Sequence, residues 1–225
     1  MVTAIVACEV FREELSQLFA ELDVNFPIEY FEMGLHDNPK TMLQRLQAQI
    51  TKLELDPTLE RVIFAYGVCG GGLQGLSSQR LTLVAPYAHD CITVLMNNRQ
   101  EHEKFQKEQP YSYFLSNGWL NSVRIPGPKR EAWLCEHYSD YDEDDLADLM
   151  DADRSAFSHY RQMILVETEC KTIRWQTAEE SCASMGWELK PYKGSLSWLR
   201  DLLLGHHNSE KFIIAKPGEA LRFPL

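Results

Sequence analysis

No stretch of this chain approaches the ~18 consecutive apolar residues that a membrane-spanning helix needs. A basic stripe is missing too. Its 33 acidic residues outweigh 22 basic ones, for a formal net charge of −11, so nucleic acid binding through phosphate contacts is not expected. The six cysteines include no Cys-x-x-Cys pair, which excludes zinc ribbons and thioredoxin-like motifs. Neither a Gly-x-Gly-x-x-Gly turn after the first strand nor a P-loop with its Lys-Ser/Thr occurs, so dinucleotide and ATP binding lack support. The opening Met-Val-Thr-Ala-Ile-Val-Ala-Cys has no basic n-region and no small-residue cleavage site. A secretory signal is therefore not expected, and the cytoplasm is. Without secretion, the cysteines point to metal or catalytic use rather than to a disulfide framework.

What is present is an alternation of apolar runs and amphipathic segments. Strands are expected at 3–8, 27–33, 61–67, 81–86, 111–115, 163–166, 187–192 and 212–215, with helices at 11–22, 41–53, 90–106, 142–161, 177–185 and 196–204. Asp37 or Asn38 can cap the second helix, with Pro39 in its first turn. Residues 120–137, broken by Pro126 and Pro128, read as irregular. The pattern is that of an α/β protein with a mostly parallel sheet flanked by helices, Rossmann-like, in two βα halves at roughly 1–108 and 109–225. Much of the excess negative charge lies between Asp140 and Asp153. It reads as a solvated helix face whose acidic start suits the helix dipole.

The chemistry concentrates at strand ends. Arg61 to Tyr66 is an apolar strand that runs into Gly67-Val-Cys-Gly-Gly-Gly-Leu-Gln-Gly-Leu76, and Leu81–Pro86 runs into His89-Asp90-Cys91. Cys8 ends the first strand and His36 follows the second. In open α/β sheets, ligands bind beyond the carboxyl ends of the strands, so these soft side chains converge if the strands are parallel neighbours. Cys8, Cys69, Cys91 and His89 are the candidate metal ligands, with Cys69 and His89 as candidate catalytic groups. Thiolate and imidazole suit Zn²⁺, and three protein ligands leave a catalytic position open.

Gly70, Gly71 and Gly72 permit positive φ and close approach to an anionic group. A helix N-terminus is expected to follow them and to make Cys69 thiolate-prone. Taken alone, Cys8 also reads as a small buried apolar residue and His36 as a turn residue. Trp119 follows a strand end and is a further candidate. Cys135, Cys170 and Cys182 have no partner pattern and read as core or incidental surface.

Tyr66-Gly-Val-Cys-Gly-Gly-Gly-Leu-Gln-Gly-Leu76, Pro86-Tyr-Ala-His-Asp-Cys-Ile92 and Tyr113-Phe-Leu-Ser-Asn-Gly-Trp119 resemble the domain-of-unknown-function family 1638. Ile5–Cys8, Gly34–His36, Trp187-Glu-Leu, Gly194–Gly205 and Phe212–Gly218 extend the resemblance from end to end. It implies a cytoplasmic prokaryotic protein associated with corrinoid-dependent one-carbon methyl transfer. The His89-x-Cys91 element is also similar to the His-x-Cys of zinc-dependent thiol methyltransferases. One departure is Glu167-Thr-Glu169, where the family tends to carry an Asp-Thr-Gly-like turn.

Three readings share these residues. The leading one is a zinc–thiolate protein of one-carbon or sulfur metabolism that takes a small thiol or anionic substrate. The second is an enzyme holding a [4Fe-4S] cluster on three cysteines with one iron open to substrate. The third is a non-catalytic protein that delivers a metal or corrinoid to a methyltransferase partner, docking through its acidic segment.

Overall fold

A computed structural model describes residues 2–171 and 173–224. Two sheets organise the chain. The first has the order β2-β1-β3-β4-β8, formed by β1 (Thr3–Cys8), β2 (Ile28–Phe31), β3 (Arg61–Ala65), β4 (Thr82–Pro86) and β8 (Phe212–Ala215). β1 to β4 pair in parallel, and β8 closes the edge antiparallel with Leu83 opposite Ala215. All six residues of β1 are buried, as expected for a strand covered on both faces. The second sheet is β5 (Ser112–Ser116), β6 (Gln162–Glu167) and β7 (Glu188–Lys193), all parallel. The mostly parallel, Rossmann-like α/β architecture read from the sequence is what the chain adopts.

Local chemistry sets the helices. A 3₁₀ turn at Glu9–Phe11 leads into α1 (Arg12–Leu22), which buries Leu15 and Leu18. α2 (Pro39–Leu53) starts where expected: Asn38 accepts from the Thr41 N–H at 3.0 Å, and Met42, Leu46 and Ile50 form its buried stripe. The helix expected at 90–106 is instead two, α3 (Cys91–Met96) and α4 (Arg99–Glu108). Asn97 takes a left-handed φ of 59°, and Asn98 caps α4. Asparagine tolerates that conformation and competes for backbone hydrogen bonds, so the pair ends one helix and begins another.

After α5 (Asn117–Leu120), the segment expected to be irregular contains α6 (Pro128–His137). Pro128 sits at its start, where the missing N–H costs nothing. α7 (Glu143–Ala156) carries the acidic run, is capped by Asp142 and buries no residue. α8 (Trp175–Met185) and α9 (Ser197–Leu204) complete the set.

The first core draws on both ends of the sequence: Leu199, Leu202 and Phe212 pack with Val6, Phe64 and Leu83. A smaller core under the second sheet contains Leu115, Met163, Leu165, Cys182 and Trp187. Glu13 of α1 ties the two sheets together. Its carboxylate accepts from Asn117 Nδ2 at 2.6 Å, Asn121 Nδ2 at 3.1 Å and Arg174 Nη1 at 2.9 Å. Beside it, Glu14 is fully buried, and neither of its carboxylate oxygens has a hydrogen-bond partner among the described residues. Burial pushes its pKa up to about 7. No helix among the described residues is long and apolar enough to cross a membrane.

Candidate functional site

β1, β3 and β4 are consecutive parallel neighbours. Because β2 lies on one side of β1 while β3 and β4 lie on the other, the strand order reverses between β1 and β3. That switch point opens a crevice at the carboxyl ends. Cys8 is the last residue of β1, Cys69 lies four residues beyond β3, and Cys91 five beyond β4. The three cysteines meet there.

Backbone geometry brings the second and third together. The Val68 N–H donates to Ala88 O at 2.9 Å, and the Cys69 N–H donates to His89 O at 2.8 Å. This pairing needs Gly67, since a Cβ there would lie 2.2 Å from the Asp90 carbonyl carbon. Cys69 itself has a left-handed φ of 47°, which costs a non-glycine residue about 1–2 kcal/mol. Strain of this kind collects at functional positions.

The Cys91 thiol is in hydrogen-bonding contact with Cys8 and Cys69. The Cys91 hydrogen bond holds the Cys8 thiol below its ordinary pKa against the opposing effect of burial, and the Val10 N–H adds to the lowering. Cys91 moves the other way: hydrogen bonding to Cys69 and Cys8, together with burial, raises it well above the ordinary value. Cys8 is therefore the acidic member of the pair and Cys91 the proton holder.

The helix expected after the glycine turn is absent; residues 70–75 are turns. The helix start in this region falls at Cys91 instead, with Asp90 accepting from the Thr93 N–H at 2.7 Å. As the side chains stand, no group of three or more His, Cys, Asp or Glu among the described residues is arranged to hold a metal ion.

The three glycines have separate roles. Gly70 and Gly71 take φ values of +67° and +93°, and their N–H groups donate to nothing among the described residues. Gly72 makes room for Met42, whose sulfur would lie 2.4 Å from an added Cβ.

The thiols line a cavity of about 480 Å³ between the two sheets, together with His36, His89, His102, Phe114 and Trp119. Trp119 reaches it because Gly118 packs on the turn after Cys8; a Cβ at Gly118 would lie 1.9 Å from Val10 O. His36 and Trp119 meet edge to face, with ring centroids 5.9 Å apart. The His89 side chain is 63% exposed, and its Nδ1 lies 3.1 Å from Asp90 Oδ2. That contact raises the His89 pKa. A second cavity of about 470 Å³ shares Gly70 and His89 with the first and contains Arg99, stacked 3.9 Å from the Tyr87 ring.

Two groups that the sequence reading passed over belong to this site. His102 sits in the charged run Arg-Gln-Glu-His-Glu-Lys, which looks solvated, yet it is only 2% exposed. The signal for it was Phe105 three residues on, which marks the inward face of the helix; both rings pack on Phe114. Tyr66 is buried, and its hydroxyl has no hydrogen-bond partner among the described residues. Burial, and then the proximity of Cys8, Cys91 and Cys69, raise the Tyr66 pKa.

Cys135 is exposed, and Cys170 and Cys182 are buried away from this cavity. Glu169, part of the departure from the Asp-Thr-Gly-like turn, accepts from the Leu196 N–H at 2.7 Å and so anchors the approach to α9.

No curated protein and no solved structure matches this chain. Residues 30–203 match the family model described as "Protein of unknown function (DUF1638)". That span covers most of the chain and includes Cys69, Cys91 and the cavity walls drawn from the second sheet, and the protein belongs to this family.

Proposed function

We propose that Cys8, Cys69 and Cys91 form a soft-metal–thiolate centre, with zinc as the leading ion, in a protein of one-carbon or sulfur metabolism. The observation that carries this reading is the meeting of three thiols from three adjacent strand ends on the wall of one cavity. The donor set is soft and of one kind, which suits Zn²⁺ or iron–sulfur ligation. Ligation requires the thiols to turn from one another toward a common ion. Of Cys8 and Cys91, Cys8 is the readier to be ionised, and Cys91 releases its proton to solvent as its thiolate takes up the cation. The chemistry that zinc supplies when bound is Lewis acidity toward a soft or weakly acidic group of the substrate.

The chain's own residues do the rest. The cavity, walled by Phe114 and Trp119, takes a small thiol substrate. The Gly70 and Gly71 N–H groups receive an anionic part of it, and His89, made more basic by Asp90, supplies positive charge beside them.

Metal analysis of untagged protein, purified without oxygen, tests the proposal. Near-stoichiometric zinc that is lost in Cys69→Ser and in Cys91→Ser is the expected result. Brown protein carrying iron and sulfide assigns the same cysteines to a [4Fe-4S] cluster instead. Substoichiometric metal, indifferent to both substitutions, overturns the centre.

A further inference from the structure

The hydrogen-bond pattern around His102 determines which ring nitrogen carries the proton. Asp90 Oδ1 lies 2.7 Å from the Thr93 N–H donor and 2.9 Å from Thr93 Oγ1. Its other oxygen, Oδ2, faces His89 Nδ1 at 3.1 Å. Both Asp90 oxygens thus face donors, and the carboxylate acts as acceptor. The single hydroxyl proton of Thr93 is then committed to Asp90 Oδ1. His102 Nδ1 lies 2.7 Å from the same Thr93 oxygen. Two lone pairs cannot share that contact, so Nδ1 must carry the ring proton and donate it to Thr93. Nε2 is left with its lone pair. It is buried and has no hydrogen-bond partner among the described residues, and His102 lines the cavity that the three thiols share. The ring plane is held by the edge-to-face contact with Phe114, at 5.1 Å between centroids.

We propose that His102, set by Thr93 and Asp90 as positioning residues, presents the Nε2 lone pair to the cavity as the hydrogen-bond acceptor for the protic group of a small thiol ligand. This rests on reading the cavity as the ligand site and not on which metal the cysteines hold. An unpartnered buried acceptor carries a desolvation penalty that a donating ligand removes. An S–H group delivered against Phe114 and Trp119 is such a donor. Burial lowers the His102 pKa, so Nε2 keeps its lone pair and acts as an acceptor for the S–H group.

Two-bond ¹H–¹⁵N correlation spectra of the full chain labelled with ¹⁵N-histidine test the assignment, with His102→Phe identifying the signal. The expected spectrum has a protonated Nδ1 and a lone-pair Nε2. Thr93→Val should relax that preference, while Thr93→Ser, which keeps the hydroxyl, should restore it. Titration with 2-mercaptoethanol should move the Nε2 resonance, and His102→Phe should weaken binding about 2- to 10-fold, the range for one lost hydrogen bond.

A protonated Nε2 in the free protein, an unchanged tautomer in Thr93→Val, or an unmoved Nε2 at saturating thiol overturns the proposal. If Thr93→Val fails to fold, the wild-type tautomer and the thiol titration still decide it. The metal reading fails separately. Protein without metal that has the expected tautomer and thiol response retains the His102 assignment, and zinc-replete protein with a protonated Nε2 loses the assignment alone.

Discussion

Replacing Gly67 with alanine puts a methyl carbon 2.2 Å from the Asp90 carbonyl carbon and 2.3 Å from its Cα. Carbon atoms in contact prefer about 3.5–4.0 Å, so the two strand extensions must separate by more than about 1 Å. No side chain can absorb this, because the obstacle is backbone. The hydrogen bonds from Val68 to Ala88 and from Cys69 to His89, at 2.9 and 2.8 Å, span the same gap and stretch with it. Overpacking costs about 1–3 kcal/mol, and two weakened hydrogen bonds add about 0.5–1.5 kcal/mol each.

The expected loss is then about 2–6 kcal/mol, a fall in melting temperature on the order of 4–24 °C for a chain of this size. The control is Gly71→Ala. Nothing lies within 4 Å of its added carbon, and its φ of +93° is the only penalty, about 1–2 kcal/mol. Thermal unfolding at one fixed scan rate compares the three proteins. A second readout is the yield of a Cys69–Cys91 disulfide under mild oxidation, mapped by mass spectrometry. It should fall in Gly67→Ala and hold in Gly71→Ala. If Gly67→Ala melts at or above Gly71→Ala with its cross-linking unchanged, the close approach of the two extensions is not what brings these thiols together.

Two further outcomes follow from titratable groups. Glu14 ionises near pH 7 in the folded chain, against a usual value of 4.5. The folded state therefore binds the proton more tightly, and stability falls as pH rises from the unfolded value through the folded one, by about 3 kcal/mol in all. Urea unfolding at pH 5.5 and 8.5 should show about 2 kcal/mol of that loss, the rest falling below pH 5.5, and Glu14→Gln should flatten it; an unchanged slope would mean the carboxyl is not buried without a partner. Cys8 owes its acidity first to the Cys91 hydrogen bond, so Cys91→Ala should move the lowest thiolate transition in ultraviolet absorbance to higher pH. The same midpoint in both proteins would refute that contact.

Much of the fold was legible because its signals are local. The apolar runs at Thr3–Cys8 and Thr82–Pro86 and the Asn38–Pro39 helix start act within a few residues. Where the reading departed from the structure, a local rule had two outcomes. Pro128 can interrupt a helix or begin one, and it begins α6. Asn97 and Asn98 fit a helix pattern by periodicity but divide it by backbone conformation. In the site, Cys8, Cys69 and Cys91 were visible as thiols at strand ends. His102 was hidden by charged neighbours, because a helix shows its buried face only through residues three and four apart.

The amino-acid order by itself determined which strands end in thiols, where the chain has glycine to spare its backbone, and that helices alternate with strands. These depend on side-chain periodicity and on conformations available to each residue alone. Only the tertiary structure decided that β1, β3 and β4 are neighbours, that β8 returns antiparallel to the first sheet, and that Gly118 lets the second sheet's aromatic rings close over the cysteines. Strand order is a long-range choice, made by burying apolar faces contributed from distant parts of the chain, and no local pattern encodes it. The acidity of Cys8 and the orientation of His102 arise at the same level, since their partners, Cys91 and Asp90 through Thr93, come from another strand end and another helix.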